Sequence, residues 1–158
     1  MKGYPRGFLT ALVATFLVLA VTGLLLIPTA LDFRFAWDVP WRLPGAQRLQ
    51  VATLHSAAAF AICGLAGALW SVHMRAHWRG RRHLRSGLWT AGMLGGTAVS
   101  ALGVLYLGDE RCLVSASAAH IVLGALVIAG LGVHWSIARL RRARQWPIAR
   151  HCRGHAKI

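Results

Sequence analysis

Acidic side chains are nearly missing from this chain: four Asp and Glu stand against eighteen Lys and Arg in 158 residues, a net charge of +14. All four acids, Asp32, Asp38, Asp109 and Glu110, fall outside the long apolar runs. No acidic pair is therefore available inside an apolar segment to relay protons. Cysteine is also scarce, with Cys63, Cys112 and Cys152 widely separated. The chain has no phosphate-binding glycine loop and no dinucleotide fingerprint, so it lacks the apparatus of a soluble nucleotide-dependent enzyme.

Apolar residues, by contrast, make up 56% of the chain. One soluble domain does not reconcile that content with so many cations. The two are compatible when they occupy separate zones, as in an integral membrane protein. Four stretches approach the ~20 apolar residues of a spanning helix. They are "FLTALVATFLVLAVTGLLLI" (8–27), residues 51–72, "GLWTAGMLGGTAVSALGVLYLG" (87–108) and residues 116–137. The expected architecture is all-α: one integral membrane four-helix bundle over residues 1–158, ending in a basic tail at 139–158. The first run, after "MKGYPR", has an apolar core longer than the ~7–15 residues of a signal peptide and reads as a retained span.

Charge sets the expected orientation. Lys2 and Arg6, the five arginines Arg75, Arg79, Arg81, Arg82 and Arg85, and the seven cations from Arg139 to Lys157 share one side of a four-span chain. Arg34, Arg42, Arg48, Arg111 and all four acids share the other. The positive-inside rule then places both termini in the cytoplasm. Topology and anionic lipid account for the basic surplus without nucleic acid as a partner. Phe33, Phe35, Trp37 and Trp41 crowd one loop, and Trp78, Trp89, Trp135 and Trp146 lie near the opposite boundary, where amphipathic rings collect. The segment 31–50, with Pro40 and Pro44, reads as a long connection on the outer surface. In this topology no two cysteines meet as an intrachain disulfide.

Histidines are the unexpected polar residues. "HIVLGALVIAGLGVH" (120–134) has one at each end and none of the other polar side chains between, and residues 55 and 73 bracket the second run in the same way. At ~100° per residue, His55 and His73 share one angle on their helix, while His120 and His134 agree to within ~40°. The rises are ~27 Å and ~21 Å, so each helix offers an imidazole at two depths. Two such helices facing each other suit two stacked flat metal macrocycles. Iron with an imidazole on each face has no open position, which favours electron transfer over chemistry at the metal. No C-x-x-C-H occurs, so the usual covalent haem attachment is excluded. His77, one turn beyond His73 and ~40° round, competes with it as an inner ligand. His83, His151 and His155 lie in basic segments and read as surface residues. Gly64, Gly67, Gly124, Gly130 and Gly132 on the histidine helices, with Gly92, Gly95, Gly96 and Gly103 on the third, fit close approach of a porphyrin or ordinary small-residue packing.

Four spans, paired histidines on the second and fourth, "VHMRAHW" closing the second, "LYLGDERC" after the third and "HIVLGALVIAGLGVH" in the fourth resemble the small bacterial di-haem b-type cytochromes. The resemblance covers roughly residues 8–142. It implies two non-covalent b haems, an outer one with axial ligands His55 and His120 and an inner one with His73 and His134. It also implies a role as a membrane subunit of a respiratory oxidoreductase, linking a quinone pool to a periplasmic or membrane redox partner. Arg111 is the expected donor to an outer haem propionate because cations are scarce on its side, and Arg75 or Arg139 serve inside. Two other functions remain open from the residues alone: a histidine-lined carrier of zinc, copper or nickel, and a cofactor-free anchor for a partner protein.

Overall fold

A computed structural model describes residues 7–69 and 84–154, and this part of the chain is all-helical. Four helices follow in order: α1 (Phe8–Phe35), α2 (Gly45–Leu69), α3 (Leu84–Tyr106) and α4 (Glu110–Gly154). Three segments, Phe8–Phe35, Gly45–Leu69 and Glu110–Val133, are long and apolar enough to cross a membrane, and α3 contributes a shorter apolar run, Ala91–Tyr106. This is consistent with a multi-pass membrane protein.

The side chains are distributed as a bilayer requires. Leu17, Val21, Leu24, Val99, Leu102 and Val122 are exposed. In water this would be a large apolar patch, whereas lipid tails solvate such side chains as well as a protein core does. Buried positions are instead small or carry hydroxyls: Thr22, Ala58 and Ser117, with Ile62. Helices in lipid associate through close packing and internal hydrogen bonds, which explains that choice. The Ser117 hydroxyl stays paired by donating to the Leu113 carbonyl at 2.8 Å.

The helices run further than the apolar pattern alone. α1 continues past Ile27 and through Pro28 to Phe35. Pro28 removes one backbone donor, but in lipid an unwound segment would expose many more unpaired groups, so the helix persists. It ends where Ala36 turns left-handed (φ 52°) and the Trp37 N–H donates to the Leu31 carbonyl at 3.1 Å. α2 starts at Gly45, with the Arg48 N–H donating to the Pro44 carbonyl at 2.8 Å. The expected connection at 31–50 thereby shrinks to residues 36–44.

α4 starts at Glu110 because Asp109 caps it. The Asp109 carboxylate accepts the Cys112 N–H at 2.9 Å, which holds that carboxyl below the usual range. At the other end α4 does not stop at the boundary of the apolar run. It extends to Gly154 for 45 residues, so the expected basic tail is helical over most of its length. Arginine is a good helix former, and its charges are solvated beyond the lipid. Near that transition Arg139 stacks on Trp135, its Cζ 5.2 Å from the ring centre.

α1 packs on α2 and on α4, and α3 packs on α4. α2 and α4, which carry the histidines, pack on each other far less extensively than these pairs do. The tightest approach is between α3 and α4, where a Cβ on Gly103 would stand 2.8 Å from the Ala116 Cβ. A Cβ on Gly96 would meet Leu123 Cδ1 at 3.2 Å. Both glycines thus serve helix packing, while Gly64, Gly67, Gly124, Gly130 and Gly132 face open space. Gly103→Ala is expected to destabilise the fold by about 1–3 kcal/mol, the usual cost of overpacking. Thermal unfolding in detergent measures this, with Gly108→Ala as the control because nothing lies within 4 Å of a Cβ there. Equal midpoints for the two variants would contradict the packing role.

Candidate functional site

His55 and His120 both lie ten residues into their helices, α2 and α4, as counted from Gly45 and Glu110. At 1.5 Å per residue each sits ~15 Å below the same end of the bundle, so the two imidazoles share one depth. The structure brings their rings together, with centres 6.3 Å apart and planes at 83°. This distance lies within the range of an ordinary aromatic contact. It also matches two imidazoles sharing one metal, since two metal–nitrogen bonds of about 2 Å plus the ring radii put the centres roughly 6 Å apart.

The protons distinguish these cases. His55 Nδ1 is 3.0 Å from the Thr22 hydroxyl of α1. That hydroxyl has one proton, and its oxygen lies 2.6 Å from the Val18 carbonyl and 3.2 Å from that of Leu19. With the proton given to a carbonyl, the Thr22 oxygen accepts from His55, so Nδ1 carries a hydrogen. His120 Nδ1 lies 3.1 Å from the Thr97 carbonyl of α3, which only accepts, and 3.2 Å from Ser100 Oγ. Ser100 gives its own proton to the Thr97 carbonyl at 2.9 Å. His120 Nδ1 is therefore a donor as well. In a neutral imidazole one protonated nitrogen leaves the other as an acceptor, so Nε2 of both rings has a free lone pair.

A metal-bound histidine has this arrangement: its second nitrogen donates to a carbonyl or hydroxyl that fixes the tautomer and the ring orientation. All four helices take part, since α2 and α4 supply the rings while α1 and α3 hold them. Gly23, next to Thr22, makes room for the His55 ring, for a Cβ there would stand 3.1 Å from His55 Cε1. The residues thus fit a flat haem iron, which takes two axial nitrogens. They fit a transported ion less well: among the described residues, no group of three or more His, Cys, Asp or Glu converges.

The remaining sequence candidates lie elsewhere. His73 and His77 fall outside the described residues. His134 is on α4, but its side chain is likewise outside them, so the inner pairing rests on sequence spacing. Arg111 is exposed in the first turn of α4. It precedes His120 by nine positions, or ~180° around the helix. Cys63 and Cys112 are free thiols.

Nothing in the sequence separates Thr22, Thr97 and Ser100 from other hydroxyl residues of apolar helices. Thr53, for example, merely bonds back to the Leu49 carbonyl at 2.9 Å. A polar residue opposite each histidine was the only available signal, and using it requires the pairing of helices. Comparison of the chain with protein-family models, with curated proteins and with solved structures found no match.

Proposed function

We propose that this chain is the electron-transfer subunit of a respiratory oxidoreductase in the bacterial inner membrane. In this reading it holds two b-type haems non-covalently between α2 and α4 and links the quinone pool to a periplasmic or membrane partner. The observation that carries it is the His55–His120 pair: two imidazoles at one depth, ring centres 6.3 Å apart, each with Nδ1 within hydrogen-bond distance of a neighbouring helix. That leaves two lone pairs for one iron. The inner site, His73 with His134, follows from the in-phase spacing, and His77 remains the alternative to His73. Both termini are cytoplasmic in this reading, on the strength of the basic surplus at one side.

Haem supplies one-electron chemistry between its ferric and ferrous states. The protein's own contribution would be to hold the group through His55 and His120, and through His73 and His134, with Thr22, Thr97 and Ser100 keeping the outer pair of rings in place. The surrounding apolar helices exclude water.

An absorption spectrum of the purified protein, oxidised and then reduced with dithionite, tests this directly. The expected result is low-spin b-type haem at about two per chain. A colourless preparation that is folded and inserted eliminates the cytochrome reading, and a stoichiometry near one removes the inner site alone.

A further inference from the structure

The seam between α1 and α2 has a second rung beyond the histidine. Thr22 and His55 form the first. Phe33 and Arg48 form the next, with Arg48 Cζ 5.1 Å from the Phe33 ring centre. Arg48 precedes His55 by seven residues, so it lies on the same face of α2 to within ~20° and ~10.5 Å nearer the 36–44 connection. The Phe33 ring also carries Arg42 at 5.4 Å, but Arg42 is neutralised by its ion pair with Asp32. Arg48 is half-buried, and among the described residues no carboxylate pairs with it.

A second polar group lies on the same stretch of α1. Thr29 follows Thr22 by seven residues, which puts it on the same face of α1 to within ~20° and between the two rungs. Its hydroxyl oxygen is buried and has no hydrogen-bond partner. Other hydroxyls on these helices bond back to a carbonyl four residues earlier, as Thr53 does to Leu49 at 2.9 Å. A buried hydroxyl without a partner and a half-buried guanidinium without a counter-charge are each unfavourable until an acceptor arrives.

We infer that Arg48 and Thr29 form a carboxylate seat for the group clamped by His55 and His120. This rests on the haem reading, under which the carboxylate is a haem propionate. Arg48 shares a face of α2 with His55 and lies on the side of the 36–44 connection, so it would be placed to meet a carboxylate of a group that His55 held. The planar fork of Arg48 matches a carboxylate bidentately, and the Thr29 hydroxyl adds a third donor. Of the other cations at this end, Arg42 is paired with Asp32, Arg34 is exposed, and Arg111 is exposed and stands half a turn round α4 from His120.

The test is reconstitution of the full-length apoprotein with haem b and, separately, with its dimethyl ester, whose propionates cannot ionise. Release to an excess of apomyoglobin is followed spectroscopically. Arg48→Gln should speed the release of haem by about tenfold, the order expected for one charge-assisted pair. Thr29→Val should have a smaller effect in the same direction, and Arg48→Lys should restore part of the retention. With the ester, the native chain and all three variants should release alike. Comparing the two ligands cancels contributions from any other site. Equal acceleration for haem and ester in Arg48→Gln overturns the seat, as does an effect confined to Arg111→Gln. If the native chain takes up neither ligand with a low-spin spectrum, the haem reading itself fails and the seat falls with it.

Discussion

Under the proposed function, His120→Ala is expected to remove the outer haem and leave the inner one, so that the reduced b-type band falls to about half, because each haem would depend on its own histidine pair. His134→Ala has the complementary effect on the inner haem. The functional consequences differ more sharply than the spectra. If the two haems form one path between a quinone and a partner on the outer face, either variant stops transmembrane electron flow, yet only His120→Ala stops exchange with a soluble cytochrome added outside. Inserted membrane vesicles with a quinol donor give both readings once insertion of each variant is confirmed. Full quinol-linked activity in His120→Ala would contradict the path, even in a protein that contains haem. A bundle in which the histidines only bind neighbouring helices would tolerate the change with a modest loss of stability.

Thr22→Val has the second largest expected effect, and it probes a residue that touches no iron. Valine preserves the shape but removes the acceptor of the His55 Nδ1–H. Two consequences follow from the proton bookkeeping. The imidazole no longer has a reason to keep its proton on Nδ1, so part of the population presents N–H where the lone pair is needed. Where ligation survives, the ring donates less strongly to ferric iron and the reduction potential rises. Weakening of haem retention by about 10–100-fold is the range expected for losing such a supporting contact. Thr22→Ser retains the hydroxyl and should stay close to native in both retention and potential. A redox titration separates this role from simple packing, since a cavity lowers stability without setting a direction for the potential. Unchanged potential and retention in Thr22→Val would remove Thr22 from the site.

Much of the architecture was legible in the linear pattern. Twenty-residue apolar runs have one low-energy form in lipid, since helices satisfy every backbone group internally, and so the helical class and three spans could be read directly. The ends were not legible. Asp109 and Pro44 start α4 and α2 six residues before the apolar runs expected at 116 and 51, and the arginine-rich segment after 139 prolongs α4 because helix propensity does not end where lipid does. Glycine illustrates the same limit. The sequence allowed every glycine on the third run to approach a cofactor or a neighbouring helix, while the structure assigns Gly96 and Gly103 to contacts with α4.

For the candidate site, the sequence by itself determined that histidines recur in phase on the second and fourth apolar runs. Periodicity is a property of one helix, so it shows which residues share a face and how far apart they lie. Which helix meets that face is decided by the packing of all four. Only the tertiary structure joined His55 to Thr22, residues 33 positions apart, and His120 to Thr97 and Ser100 across α3. Those contacts give each imidazole Nδ1 its hydrogen-bond partner. A hydrogen bond between helices depends on depth and rotation together, and neither is set until the helices have chosen their neighbours.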